Sequence, residues 1–214
     1  GYFVNEPRIL NSMYFGVPQK RERVFIIGTL KNTPFEWPVN GNTIVTVSEA
    51  ISDLDNYEGK VDESPVAYKK NARGKYQRMM RKKSDKIHNH EPRMPALSTQ
   101  EKIAQVSQGG NWKQIPEKYF PNNRKNRHSS AFKRLHENEP SITIDTGNAH
   151  SNYFHPSYNR IPTVREAARI QSFPDNFIFK GSRTQQYRQV GNAVPPLLAF
   201  ELSKSIKKAI LSKN

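Results

Sequence analysis

The chain of 214 residues contains no cysteine. That excludes a disulfide framework and thiolate metal sites, and it fits a cytoplasmic protein. It also means that no residue of this chain can serve as a thiolate nucleophile. No apolar run approaches the roughly 20 residues that cross a bilayer. The opening Gly1-Tyr2-Phe3-Val4 passes at once to polar residues, unlike a secretory leader. The first methionine is Met13, which fits a cleaved or truncated chain. Apolar content is low, with 35% hydrophobic residues and a mean hydropathy of −0.83. Folding must offset about 1–2 kcal/mol of conformational entropy per residue, whereas apolar burial returns about 25 cal/mol per Å². Such a chain forms small subdomains or leans on another polypeptide. No glycine-rich nucleotide loop and no Ser-His-Asp arrangement stands out.

Positive charge is in excess. Thirty-four Lys and Arg face 19 Asp and Glu, a net charge of +15. The cations cluster in Tyr68-Lys69-Lys70-Asn71-Ala72-Arg73, in Arg78-Met79-Met80-Arg81-Lys82-Lys83 and in Asn122-Asn123-Arg124-Lys125-Asn126-Arg127-His128. Displacement of counterions from a phosphate backbone is the usual reason for such an excess. The plainer alternative is a soluble protein with a merely basic surface. An anionic membrane is a weaker one, because no basic helix with a bulky apolar face is evident.

Local patterns set out an order of elements. Residues 1–30 read as a strand hairpin, with Arg23-Val24-Phe25-Ile26-Ile27-Gly28 suited to a buried strand. Thr46-Val47-Ser48-Glu49 is a capping box that opens a short helix through Leu54. Ser98-Thr99-Gln100-Glu101 repeats the device before a helix ended by Gly109-Gly110, and Thr163-Val164-Arg165-Glu166 opens a third, stopped by Pro174. From about Asp55 to Tyr158 no helical period is sustained. Short possible strands such as Ser141-Ile142-Thr143-Ile144-Asp145 lie among Asn, Gly, Pro and basic residues, as suits a loop-rich domain draped over a ligand. Pro195-Pro196 begins a terminal helix whose Leu198, Leu202, Ile206, Ala209 and Ile210 form one stripe that must cover something apolar.

In Gln19-Lys20-Arg21-Glu22-Arg23 the alternation puts Gln19, Arg21 and Arg23 on one face of an extended segment. Two guanidiniums there are costly to desolvate without anionic or carbonyl partners, and each can fork onto a planar oxygen. Taken alone, the pattern is a pair of solvated strand arginines. It follows Tyr14-Phe15-Gly16-Val17-Pro18, however, and RIPTVREAARIQSFPDNF at 160–177 and QVGNAVPP at 189–196 come later in the chain. Together these resemble the eighth, ninth and tenth blocks of the bacterial-type DNA (cytosine-5) methyltransferases, in order and around a long variable insert. About 60 of the 214 residues are covered closely. A looser similarity runs through Gln108-Gly109-Gly110-Asn111-Trp112 and His128-Ser129 to Arg134-Leu135.

The resemblance implies an α/β fold: the C-terminal portion of a Rossmann-like catalytic domain over 1–54, a small irregular α+β target-recognition domain over 55–185, and a return to the catalytic domain over 186–214. It implies that Arg23 contacts O2 of a flipped cytosine, that Arg21 supports the same pocket and that Gln19 opens the block. Asn192, Ala193 and Val194 correspond to the border of the S-adenosylmethionine pocket. In block nine, Ala167, Ala168, Ile170 and Phe173 read as packing, and Arg165 and Arg169 as bridges or phosphate contacts. Arg124, Arg127, Arg134, Lys82 and Lys83 are the expected contacts to double-stranded DNA.

Departures from the whole-enzyme pattern are equally informative. There is no Pro-Cys nucleophile segment, no Glu-Asn-Val segment and no F-x-G-x-G cofactor loop. The implied partner is therefore an N-terminal catalytic half, from the same gene or a separate subunit, without which the chain is expected to be inactive. The implied setting is the bacterial cytoplasm, at the nucleoid, in a restriction-modification context. A non-catalytic DNA-binding module on the same scaffold is the alternative. No metal is expected: His88-Asn89-His90 lacks further ligands, and Glu58-Gly59-Lys60 after Asp53 and Asp55 is too compressed for a nuclease core.

Overall fold

A computed structural model describes residues 1–30, 33, 35–55, 65–120, 132–146 and 153–211. The first thirty form the expected hairpin in two stretches. β1 (Tyr2–Val4) pairs antiparallel with β4 (Gly28–Leu30), and β2 (Arg8–Asn11) with β3 (Glu22–Phe25). The hairpin tip is a 3-10 turn, Ser12–Phe15, capped by the Asn11 side chain and closed by Gly16 at φ 74. The apolar strand is not buried as expected: Val24 is 61% and Ile26 66% exposed. Among the described residues every sheet is two-stranded, so no further strand covers the outer face of the hairpin.

α1 (Val47–Ile51) and α4 (Val164–Ile170) begin at the capping boxes Thr46/Glu49 and Thr163/Glu166. α3 (Leu97–Ala104) differs from expectation. Its N-cap is Ala96, two residues before Ser98; it makes no side-chain cap and ends at Gln105 rather than at Gly109-Gly110. Two helices lie where none was expected. α2 (Lys75–Arg81) buries Tyr76, Gln77 and Met80. α5 (Arg183–Asn192) buries only Tyr187, Val190 and Gly191 behind a Ser182/Gln185 capping box. α6 (Pro196–Leu211) follows. Short ribbons complete the order: β5 (Val66–Ala67) with β6 (Lys86–Ile87), and β7 (Lys133–Arg134) parallel to β8 (Tyr153–Phe154).

The largest core joins α1, α2, α4 and α5 around Ala167, Ala168, Ile170, Ile51, Met80 and Val190. It draws on residues from both sides of positions 54 and 185, so packing is continuous across those positions. Leu198 and Leu202 of α6 seal against Leu10 and Phe15. Ile206 and Ile210, expected on the same buried stripe, are 40% and 63% exposed.

Buried arginines take the place of a larger apolar core. Arg160 forks onto Glu166 at 2.7 and 2.8 Å. Arg169 forks onto Asp175 at 2.7 and 2.6 Å and reaches Asp53 at 2.8 Å. Arg165 donates to the carbonyls of His88, Pro174 and Phe177. All three arginines are fully buried, so Arg165 and Arg169 are bridges and not phosphate contacts. Burial favours loss of the Arg169 charge, but Asp175 and Asp53 outweigh it and raise its pKa. Likewise burial opposes the Glu166 carboxylate, yet Arg160 holds its pKa well below the usual range. Removing one partner of such a pair costs about 3–5 kcal/mol.

Candidate functional site

The block after the hairpin tip is fixed by the backbone beside it. Ser12 Oγ donates to the Gln19 carbonyl at 2.7 Å, and the Ser12 N–H donates to the Arg21 carbonyl at 2.9 Å. On the other side, residues 141–144 run along it. Gln19 and Ser141 form a parallel bridge, Lys20 N–H donates to Ser141 O, and Thr143 Oγ1 donates to Lys20 O at 2.9 Å. The segment expected as a strand at 141–145 is thus a single bridge plus side-chain ties.

Gln19 is fully buried. Its Oε1 accepts from Ile144 N–H at 2.9 Å, and its Nε2 donates to the Ile170 carbonyl and to Gln171 Oε1. Gln171 in turn donates to the Ala193 carbonyl at 2.8 Å. Two amides therefore link the block at 16–23, the end of α4 and the residue after α5. The expected pocket role of Gln19 gives way to this structural one, because both ends of its amide are consumed inside the fold.

Arg21 borders the cavity described below and also holds the backbone around it. Nη1 donates to the Ile144 carbonyl at 3.0 Å and Nη2 to the Gly191 carbonyl at 2.8 Å. Burial, then the neighbouring Arg23 charge, lowers its pKa to about 10, so it stays protonated at neutral pH. Gly191 is required here. A Cβ on it would lie 2.7 Å from the Asp145 carbonyl carbon and 2.8 Å from Thr146 N. The bare helix backbone thus approaches residues 145–146, and Arg21 clamps the two segments together.

Arg23 sits on β3 with its side chain exposed, and its Nη1 donates locally to the Glu22 carbonyl at 2.6 Å. It shares a cavity of about 210 Å³ with Arg21, Val24, Asn192, Ala193, Val194 and Leu198. Residues about 170 positions apart in the chain are thereby brought to one place. Asn192 is the exposed last residue of α5 and Ala193 its extended C-cap. The pairing offers a forked donor, a side-chain amide and an apolar wall, which suits a planar, polar-edged ligand. Sites that enclose a drug-sized ligand run to about 300–1,000 Å³, so the cavity fits one wall of a cofactor or base site.

The expected DNA contacts are dispersed. Arg124 and Arg127 lie outside the described residues, as do Glu58, Gly59 and Lys60. Arg134 is turned inward, with Nη2 on Asn159 Oδ1 and its pKa lowered by burial. Asn159, past the end of β8, holds it, so it is not presented as an open reader. Lys82 and Lys83 are exposed at the C-terminal end of α2, beside the exposed Arg73, Lys75 and Arg78. Of the other cations in these runs, Lys69 is exposed, Arg81 pairs with Asp53 and stacks 3.9 Å from the Tyr68 ring centre, and the half-exposed Lys70 pairs with Asp55. His90 is buried between Thr163 Oγ1 at 2.8 Å and the Asp55 carbonyl at 2.7 Å, and no cluster of three metal-ligating side chains exists among the described residues. None of the described helices is long and apolar enough to cross a membrane.

The model of the C-5 cytosine-specific DNA methylase family matches residues 1–208. The chain belongs to that family. It is 38% identical over 224 residues to the type II methyltransferase M.DdeI of Desulfomicrobium norvegicum, a match covering 92% of this chain and 53% of that protein. It is 37% identical over 136 residues to the type II methyltransferase M.AquIB of a Picosynechococcus species, covering 58% of this chain and 91% of that protein. Most of that relative is therefore accounted for by its match to this chain. A solved structure described as a DNA modification methyltransferase of an Escherichia coli prophage superposes with a TM-score of 0.74 at 23% identity. It covers 98% of this chain and 61% of the other, and it places the fold in the α/β methyltransferase class. The chain spans about half the length of the curated relatives that match nearly all of it.

Proposed function

We propose that this chain is the C-terminal, DNA-recognising portion of a DNA (cytosine-5) methyltransferase of a bacterial restriction-modification system, acting in the cytoplasm. The observation that carries the reading is the cavity at which Arg23 meets Asn192, Ala193 and Val194. In this reading Arg23 donates to O2 of an extruded cytosine, whose polar edge must be satisfied once it leaves the duplex. Asn192, Ala193 and Val194 form one edge of the S-adenosylmethionine site; that cofactor supplies the methyl group destined for cytosine C5. Arg21, Gln19 and Gln171 do not touch either ligand but hold those two walls in register. Residues 55–185 serve recognition and the remainder belongs with the catalytic domain, a functional division over one packed core.

The chain has no cysteine, and attack on cytosine C6 in this family uses a thiolate. The reading therefore requires a complementary N-terminal half that carries the nucleophile, and the chain alone transfers no methyl group. The test is to incubate labelled S-adenosylmethionine and duplex DNA with this chain, with the N-terminal half of the Desulfomicrobium relative, and with both. Incorporation is expected only with both and should fall sharply for Arg23→Ala. Incorporation by this chain alone, or a wild-type rate for Arg23→Ala, refutes the reading. A non-catalytic DNA-binding module would give binding in every case and incorporation in none.

A further inference from the structure

Helices α1, α4 and α5 are each capped by the hydroxyl of the residue just before them: Thr46, Thr163 and Ser182. α6 cannot be capped in that way. It opens on Pro195 and Pro196, which offer no hydroxyl and carry no N–H, so Leu197 has the first N–H of the helix. That N–H donates to Ser172 Oγ at 3.2 Å, from a residue 25 positions away. The cap of α6 is supplied by the end of α4.

Ser172 holds a backbone conformation that serine seldom adopts, with φ at 67. Its N–H donates to the Arg169 carbonyl at 3.0 Å, and the Phe173 N–H donates to the Ala168 carbonyl at 2.8 Å. These two bonds close a helix on a left-handed residue, which is usually glycine. Glycine takes that conformation freely, whereas a Cβ is strained in it. Such strain persists where the surroundings demand it and clusters at functional sites. Here the demand is for the hydroxyl, because Ser172 is buried and its Oγ meets the first turn of α6.

The preceding residue acts on the other end of the same stretch. Gln171, also buried, donates from Nε2 to the Ala193 carbonyl at 2.8 Å. Ala193 and Leu197 both lean on the largest core. Two adjacent side chains therefore fix the two ends of the stretch 193–197. Ala193, Val194 and Pro195 of that stretch line the cavity shared with Asn192 and Arg23. Arg23 is set separately, by the ladder of β3 with β2.

We propose that Gln171 and Ser172 are positioning residues for the cofactor. They set the backbone of 193–197, and so the affinity of the edge that receives S-adenosylmethionine, without touching it. The inference rests on the proposed function and adds which of the two ligands the end of α4 serves. Glycine at 172 would make a sounder helix end and a looser cofactor edge.

The test combines variants of this chain with the N-terminal half of the Desulfomicrobium methyltransferase. Ser172→Gly should raise the KM for S-adenosylmethionine about fivefold, the worth of one lost cap, and leave the KM for duplex DNA unchanged. Its Tm should stay near that of the wild type, because relief of the left-handed strain opposes the loss of the cap. Gln171→Met, which takes the donor from the Ala193 carbonyl, should shift the cofactor KM in the same direction. Ser182→Ala removes a cap of the same kind from the far end of α5. It should lower Tm and leave both KM values alone, as a merely structural loss does. In the isolated chain, the Leu197 amide should exchange its hydrogen about fivefold faster in Ser172→Gly than in the wild type. A cofactor KM unchanged in Ser172→Gly, or a DNA KM raised as much, overturns the proposal and leaves the functional reading standing. Equal exchange of the Leu197 amide in both chains overturns the cap itself. If the wild-type pair transfers no methyl group, the functional reading fails and the cofactor assignment falls with it.

Discussion

Gly191→Ala is a substitution for which helix propensity and packing predict opposite signs. Gly191 lies in the last turn of α5, and replacing a helical glycine by alanine ordinarily gains up to about 1 kcal/mol. Here the new methyl carbon would sit 2.7 Å from the carbonyl carbon of Asp145, 2.8 Å from its oxygen and 2.8 Å from Thr146 N. These are backbone atoms, so no rotamer change relieves the contact. Overpacking of this kind costs about 1–3 kcal/mol. The shift it forces also strains the Arg21 clamp on the Ile144 and Gly191 carbonyls, where each charged hydrogen bond contributes about 1.5–3 kcal/mol. The sum favours destabilisation by about 1–3 kcal/mol net. At roughly 2–4 °C per kcal/mol for a chain of this size, thermal unfolding followed by circular dichroism should show a Tm several degrees lower. Arg21→Lys, which loses the planar fork, should lose a similar amount. The two changes should combine less than additively because they break one clamp. An unchanged or higher Tm for Gly191→Ala refutes the close approach of α5 to residues 145–146.

Glu166→Gln removes the partner of the fully buried Arg160 and should cost about 3–5 kcal/mol in urea unfolding; a loss below about 1 kcal/mol would contradict the buried pair. Burial lowers the pKa of His155 from 6.5 to about 3, despite the Glu166 carboxylate 3.7 Å away. The unfolded chain therefore takes up a proton below pH 6.5 that the fold refuses. Stability is full above that pH and falls by up to about 1.4 kcal/mol per pH unit as pH drops toward 3. His90, also lowered by burial, acts with the same sign, and His155→Gln should flatten the profile between pH 6.5 and 5. Lys82→Ala and Lys83→Ala should each make the log–log dependence of duplex affinity on salt shallower by about 1, uniformly across sequences. A slope unchanged in both variants removes α2 from the phosphate-contacting surface.

The sequence was legible where one local signal decides the outcome. Thr46/Glu49 and Thr163/Glu166 start helices because a capping box is satisfied by its own backbone within three residues. α6 begins at Pro196 because a proline at the first turn loses no hydrogen bond. Ser98/Glu101 makes the same kind of pair, but the chain enters that helix two residues earlier, at Ala96, and leaves the box unused. α5 was hidden because its buried residues are only Tyr187, Val190 and Gly191, a stripe too narrow to register as a period, although Ser182/Gln185 announced its start. The segment at 23–28 stays largely exposed because apolarity reports a demand for burial, not whether the residues present can meet it.

At the site, sequence alternation put Gln19, Arg21 and Arg23 on one face, and the fold gives the three different tasks. The difference lies in what each side chain meets across the chain. Residues 141–144 and 170–171 absorb Gln19, the carbonyls of Ile144 and Gly191 absorb Arg21, and Arg23 stays exposed at the cavity that Arg21 also borders. None of those partners is near in sequence. The same holds for the positive charge: Arg81, Arg160, Arg165 and Arg169 add to the net +15 yet are spent on internal carboxylates and carbonyls. A net charge counts cations without saying which are already neutralised. Among the described residues the exposed cations of α2 and its flanks are a coherent group able to meet a phosphate backbone. Internal arginines let a chain with little apolar content hold its recognition-side core together. They do nothing for the hairpin, whose outer apolar residues Ile9, Val24 and Ile26 stay exposed.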